Sequence, residues 1–277
     1  MQAGPFFFMK EFRDQNQIRF RLAAESEGRY DWLFVPGGPG GDSGYFLSLL
    51  AHLHLPGRAW LVDLPGNGTN KVAKDYDYDQ WLEIYPTLVD PFHHPVLVGH
   101  SAGSHLALLF PELEEKLAAF AILNASPCLW LEEAVRYGKP FDLPDLSREM
   151  AAFTANPTQE TFDVALEANL PYYFSPSHLS AGREMLADLP FPWRPAVWWQ
   201  RTAIASNFSA KWIPQLLPTS VVSGRYDCIT PYTLFANDTR FHRENIEFTM
   251  IADAGHFPWV ENPGEVRRAF DRLIARI

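Results

Sequence analysis

Cysteine is nearly missing from this chain: 277 residues hold two, Cys128 and Cys228. Two thiols build no disulfide framework and offer no zinc-ligand spacing. The plain reading is a pair of reduced thiols in an intracellular protein, with a single bridge between them as the alternative. Long apolar runs are missing too. No stretch approaches the roughly 20 residues needed to cross a bilayer, so no membrane span is expected. Phe6–Phe7–Phe8 is too short for a signal-peptide core, and no small-residue cleavage site follows it. A cytoplasmic location is the resulting expectation. Positive charge is the third shortage. Lysine and arginine total 23 against 33 aspartates and glutamates, a net charge of −10 with no basic stripe. That argues against a nucleic-acid partner. An acidic surface otherwise serves solubility. No metal-ligand cluster stands out either, and neither a cofactor nor a metal is expected.

What is present is enough apolar material for a sizeable core. Hydrophobic residues make up 47% and charged residues 20%, which suits one large α/β domain with an insertion, or two small domains. Ile18–Ala24 alternates as a half-buried strand, with Lys10–Asp14 as its hairpin partner. Trp32–Val35, Ala59–Leu64, Val96–Val98 and Ala118–Leu123 read as strands. Ser43–Leu55, Asp79–Val89 and Ala102–Glu115 read as helices between them. Strands alternating with helices at this spacing imply βαβ units and a parallel sheet.

The alternation stops at residues 127–212. This stretch holds nine of the 23 prolines and five of the nine tryptophans: Trp130, Trp193, Trp198, Trp199 and Trp212. Helical patterns appear at Ser147–Asn156 and Thr158–Asn169, but no clear buried strand. The expected organisation is a core of 1–126 and 213–277 with an inserted helical cap at 127–212. Beyond it come strands Thr219–Ser223 and Ile246–Ile251 and helices Pro231–Asn237 and Pro263–Ile277. The last helix places Val266, Phe270, Leu273 and Ile274 on one face.

Chemistry enters at Gly99–His100–Ser101–Ala102–Gly103. A Gly-x-Ser-x-Gly turn between strand and helix is a nucleophile elbow, and small residues flank the serine because the turn is crowded. Serine alone is a poor nucleophile. It needs a base, an orienting acid and an oxyanion hole. Asp227 follows the strand Thr219–Ser223, and His256 follows Ile246–Ile251. Serine, acid, histidine is the chain order of α/β-hydrolases. All three lie at carboxyl ends of expected strands, where open α/β sheets form sites. Asp253 is the rival acid. His52, His54, His93, His94, His105, His178 and His242 receive no role, and His100 is read as the variable position before the nucleophile.

Gly37–Gly38–Pro39–Gly40–Gly41 follows the third expected strand. A phosphate loop would require Gly-x-x-x-x-Gly-Lys-Ser/Thr, which is absent. An oxyanion loop fits better, with a plain turn as the bland alternative. The Gly38 and Ala102 amides are the natural pair of donors to a developing alkoxide.

These motifs resemble the α/β-hydrolase superfamily across nearly all of the chain outside 127–212. Pro36–Gly37–Gly38–Pro39–Gly40 is similar to the His-Gly-Gly-Pro-Gly loop of the prolyl iminopeptidase (proline aminopeptidase) group. Asp63–Leu64–Pro65–Gly66–Asn67–Gly68 resembles the superfamily's Asp-x-x-Gly-x-Gly loop. Gly224–Asp227 with Pro231 resembles its acid loop, and Gly255–His256 with Glu261–Asn262–Pro263 its histidine loop. Two departures stand out. Pro36 occupies the histidine position, and the elbow lacks the group's Gly-Gly-Ser-Trp-Gly, with Ala102 in place of tryptophan.

The resemblance implies an α/β-hydrolase fold: a mostly parallel sheet flanked by helices, with an inserted helical cap. It also implies a cofactor-independent serine hydrolase cleaving a small acyl substrate, ester or amide, through an acyl-enzyme. The expected partner is a small molecule or short peptide. In iminopeptidases, acidic cap residues bind the substrate's amino group. The candidates here are Glu132, Glu133, Glu149, Glu160, Glu167 and Glu184, with Glu167 foremost because Leu170–Phe174 adjoins it. A true prolyl aminopeptidase is one alternative. A non-catalytic ligand-binding homologue, from a different class, is the other.

Overall fold

The computed structural model describes residues 10–277. The Phe6–Phe8 run lies outside the described residues. Eight strands form one sheet: β1 (Glu11–Arg13), β2 (Arg19–Glu25), β3 (Asp31–Val35), β4 (Arg58–Asp63), β5 (Pro95–His100), β6 (Ala119–Leu123), β7 (Thr219–Gly224) and β8 (Ile246–Ile251). Their spatial order is β1-β2-β4-β3-β5-β6-β7-β8. β2 pairs antiparallel with β1 and β4, and every other pairing is parallel.

The inner strands are buried along their whole length, as Asp-Trp-Leu-Phe-Val of β3 and Ala-Phe-Ala-Ile-Leu of β6 show. Continuous apolar runs are what a parallel sheet covered on both faces requires. Alternate residues enter opposite core layers. Leu33, Val35, Leu97 and Phe120 pack on one side; Trp32, Phe34, Val96 and Val98 pack on the other. This is the two-residue period of a strand. The closing helix, Pro263–Ile274, covers the second layer with Val266, Ala269, Phe270 and Leu273, and Asn262 Oδ1 caps the amide of Glu265.

Several expected helices are shorter than their sequence pattern. Ser43–Leu55 is a 3-10 turn, Ser43–Phe46, followed by one helical turn, Leu47–Leu50. Pro56 and Gly57, the latter at φ +102°, must then redirect the chain into β4. Asp79–Val89 becomes Tyr78–Gln80, Trp81–Ile84 and Tyr85–Thr87, broken at Pro86, which has no amide to donate. Ala102–Glu115 is helical only over Ala102–Ala107 and Leu113–Lys116, because Pro111 disfavours helix at the residue before it. Pro231–Asn237 shortens to Thr233–Ala236.

Between β6 and β7 the chain adds helices and no strand. They are Leu131–Gly138, Ser147–Ala155, Gln159–Ala168, Leu170–Tyr173, Leu179–Ala187 and Trp193–Ala205. A single bridge, Cys128 to Ser209, joins the two ends of this stretch. Both cysteines are free thiols.

At the other end of the sheet, β2 carries two buried arginines. Arg21 reaches Asp42 at 2.7 Å and Asp63 at 2.8 Å, and Arg19 reaches Asp63 at 2.9 Å. Asp42 also accepts from the amides of Gly44 and Thr69. This cluster ties the glycine-rich loop after β3 to the strands beneath it.

Candidate active site

Ser101 sits at the carboxyl end of β5 with φ 50° and ψ −119°. A non-glycine residue at positive φ is strained and persists only where its surroundings hold it. Here the Ser101 amide donates to Leu123 O at 2.9 Å, and its carbonyl accepts from Ser104 and His105. The flanking glycines are steric necessities. A Cβ on Gly99 would lie 2.6 Å from Ser104 Oγ, and one on Gly103 would lie 2.5 Å from Val35 O.

Asp227 is fully buried beyond the end of β7. Its Oδ1 accepts from the amides of Ile229 and Thr230, each at 2.9 Å. Its Oδ2 accepts from Asn124 Nδ2, Thr230 Oγ1 and His256 Nδ1, each at 2.9 Å. Burial alone would push the carboxyl up. The His256 imidazole and the Asn124 and Thr230 donors outweigh it and hold Asp227 below the ordinary carboxylate range. An ionised carboxylate only accepts, so His256 Nδ1 carries a proton. Asp253, the rival acid, is exposed, and His256 Nδ1 is bonded to Asp227 instead.

The His256 loop is held by the helical stretch between β6 and β7. The His256 amide donates to Tyr173 O at 2.6 Å, and the Cys228 amide donates to Tyr172 O at 3.1 Å. Glu261 accepts from the amides of Gly255 and Ser175, one on each side of this junction. Consecutive carbonyls thus anchor the acid loop and the histidine loop together.

Gly38, at φ +117°, and Ser101 line one cavity with Ala102 and His256. Neither the Gly38 nor the Ala102 amide meets an acceptor among the described residues. The Gly37 amide is already used, donating to Tyr45 Oη at 2.5 Å. No hydrogen bond joins the Ser101 hydroxyl to His256 among the described residues; unliganded sites commonly close that contact when substrate binds.

His100 does more than its reading as a variable position allowed. Its Nε2 donates to His256 O at 2.8 Å, since a carbonyl can only accept. Its Nδ1 therefore accepts from the Tyr45 hydroxyl at 2.8 Å. Burial first, then the neighbouring His256, hold its pKa well below the ordinary histidine value. A run of oriented bonds thus joins the glycine loop, Tyr45, His100 and the His256 backbone. Sequence reasoning missed Tyr45, Asn124 and Thr230 because each acts through position alone. Only Asn124 leaves a faint signal, as a residue that tolerates positive φ just past a strand.

The cavity measures about 240 Å³. Beyond the polar residues at its base, its walls are mostly apolar and include Met150, Phe153, Phe162, Leu166, Phe191 and Trp199. Among the described residues, no aspartate, glutamate, lysine or arginine lines it. Glu167 stands apart from this cavity. Its side chain is 56% exposed and pairs with Arg183 at 2.7 Å, on a different groove from the one holding Ser101. Helix periodicity turns it outward while Leu166 faces the cavity. Glu132, Glu133, Glu149, Glu160 and Glu184 do not line the cavity either.

An eight-stranded, mostly parallel sheet with a strained serine between its central strand and a helix defines a class of fold. The chain belongs to the alpha/beta hydrolase family, whose model matches residues 32–269. Solved structures agree on the fold. A proline iminopeptidase-related protein from Thermus thermophilus superposes with a TM-score of 0.68 at 18% identity, covering 93% of each chain. A thermophilic esterase from Thermogutta terrifontis gives 0.65 at 19% identity over 94% of each chain. An alpha/beta fold family hydrolase from Bacillus anthracis gives 0.64 at 17%, covering 92% of this chain and 95% of the other. No curated protein matches the chain in sequence.

Proposed function

We propose that the protein is a serine hydrolase acting on a compact, neutral acyl substrate, with esters preferred over N-terminal proline amides. The observation that carries this reading is one cavity that holds Ser101, His256 and two unused amides, yet no aspartate, glutamate, lysine or arginine among the described residues. Ser101 is the nucleophile, His256 the base, and Asp227 the acid that fixes the imidazole. His256 Nε2 takes the hydroxyl proton as Oγ bonds to the substrate carbonyl. The amides of Gly38 and Ala102 stabilise the resulting alkoxide. The intermediate collapses, the proton passes from His256 to the leaving oxygen, and an acyl-Ser101 remains. Water then repeats the sequence and frees the acid.

Residues 127–212 act as the cap, and 1–126 with 213–277 as the core. The cap's contribution is a rigid aromatic wall, since aromatic side chains offer large apolar area with little rotamer freedom. A cytoplasmic location belongs to the same proposal and is consistent with the free thiols of Cys128 and Cys228.

True proline aminopeptidase action is the second reading, favoured by the likeness to the iminopeptidase-related protein. A protonated amine in this cavity would need a buried carboxylate, and none lines it. The test compares kcat/KM for short-chain p-nitrophenyl esters and proline-coumarylamide. The expected result is ester cleavage at least as efficient as amide cleavage. Strong release of proline with negligible ester turnover would restore the aminopeptidase.

A further inference from the structure

The hydroxyl-bearing residues of the cavity wall are Tyr45, Ser101, Tyr173 and Thr230. Ser101 is the proposed nucleophile. The Tyr45 hydroxyl donates to His100, and the Thr230 hydroxyl donates to Asp227 at 2.9 Å. The Tyr173 hydroxyl is unspent: it meets no hydrogen-bond partner among the described residues. It is not one of the polar atoms sealed from water either, so a small molecule can reach it.

The placement of Tyr173 is fixed from several sides. It ends the helix Leu170–Tyr173, and its carbonyl accepts from the His256 amide at 2.6 Å. Its ring packs on the His256 imidazole with centroids 5.3 Å apart, and on Phe257 at 6.0 Å. The neighbouring Tyr172 borders a different groove and spends its hydroxyl on Pro144 O at 2.7 Å. Tyr173 keeps some accessible surface. Even so, burial, with Asp227 as the smaller cause, pushes its phenol up to about 12. A hydroxyl set deep in protein yet open to water borders an internal space, and the cavity that Tyr173 lines is the one holding Ser101. At neutral pH the phenol is intact and can donate.

We infer that Tyr173 is a further catalytic residue, whose hydroxyl donates a hydrogen bond to the leaving oxygen of the ester. The inference rests on the hydrolase reading. In that reading the carbonyl oxygen has two amides of its own, those of Gly38 and Ala102. The leaving oxygen has only the proton that His256 delivers, so it must come up to the imidazole on which Tyr173 packs. As the carbon–oxygen bond breaks, its electron pair goes to the leaving oxygen and His256 Nε2 supplies the proton. Tyr173 keeps its own proton and stabilises the charge that builds before the transfer is complete. That help matters most for a basic alkoxide and least for a phenoxide that leaves unaided. The substrate class narrows accordingly, to esters of ordinary alcohols.

Three butyrate esters test this, because they share an acyl group and differ in the acidity of the leaving alcohol: ethyl, 2,2,2-trifluoroethyl and p-nitrophenyl. Their kcat/KM, which reports acylation, is measured in wild type and Tyr173→Phe. The variant should lose about ten- to a hundredfold on ethyl butyrate, the worth of a hydrogen bond to a group gaining charge. The loss should shrink for the trifluoroethyl ester and be smallest for the p-nitrophenyl ester. A merely structural role would lower all three alike, so equal losses, or none, would overturn the inference. The urea unfolding midpoint should not move, because the hydroxyl gives up no partner within the protein. A lowered midpoint would place that partner inside the protein and overturn the inference as well. No turnover of any of the three by folded wild type would sink the hydrolase reading and this role with it. Turnover with equal losses would sink the role alone.

Discussion

The triad reading makes different demands on single residues. Ser101→Ala should lower kcat by on the order of 10⁶, as loss of a triad nucleophile does. The fold should survive, since Ser101 lines a cavity and its hydroxyl fills no packed layer. Asp227→Asn should lower kcat by on the order of 10⁴ by releasing the imidazole tautomer. It should also cost about 1–3 kcal/mol in urea unfolding, because an amide NH₂ would meet donors where a carboxylate oxygen now accepts. Asp253→Asn should change neither, being exposed. If Asp253→Asn proved the worse variant in the same assay, the acid role would pass to it. The strand-end positions of Ser101, Asp227 and His256 were legible because each occupies a loop with a recognisable residue pattern. Tyr45, Asn124 and Thr230 were not. Their importance comes from which atoms the fold brings within hydrogen-bonding reach of them, and no local pattern records that.

At the scale of elements, the site depends on how the loops are tied together. Tyr45 Oη links the Gly37 amide to His100, and His100 links to the His256 backbone. Tyr45→Phe should leave a buried amide and a buried imidazole nitrogen unsatisfied, at about 1–3 kcal/mol each. Urea denaturation would read that loss. kcat should fall more than KM rises, because the glycine-rich loop and the His256 loop would lose their common strut. An unchanged unfolding midpoint would mean that the hydroxyl bonds contribute nothing. Strands were read nearly in full from sequence, since buried parallel strands are short apolar runs with turn residues at their ends. Helices were overextended at Ser43–Leu55, Asp79–Val89 and Ala102–Glu115. Apolar spacing there reflects burial against the sheet, while Pro86, Pro111 and the Pro56–Gly57 turn limit the helical hydrogen bonding.

For the molecule as a whole, pH acts through buried carboxylates. Burial alone would raise the Asp42 carboxyl, but Arg21 and the Gly44 and Thr69 amides outweigh it and hold Asp42 below its ordinary value of 3.8. Asp227 is held low in the same sense. A folded value below the unfolded one means stability that is present above about pH 4 and lost as pH falls through the folded values. The urea midpoint should therefore drop on acidification below that point. Asp42→Asn should flatten this dependence and cost about 3 kcal/mol at neutral pH, as breaking a buried pair does. A variant as acid-labile as wild type would show that Asp42 is not the group responsible. The α/β layering and the helical stretch after β6 were both visible in the rhythm of the sequence. The cavity without charged walls was not, because it is assembled from side chains far apart in the chain, from Gly37 to Phe257. The central claim is that Ser101 is a nucleophile activated by His256. Its most direct measurement is peptide mass spectrometry after exposure to a fluorophosphonate, in wild type and in His256→Ala. One adduct per chain on Ser101, nearly abolished in His256→Ala, is the predicted result. An unlabelled Ser101 in the folded wild-type protein, or equal labelling in both, would contradict it.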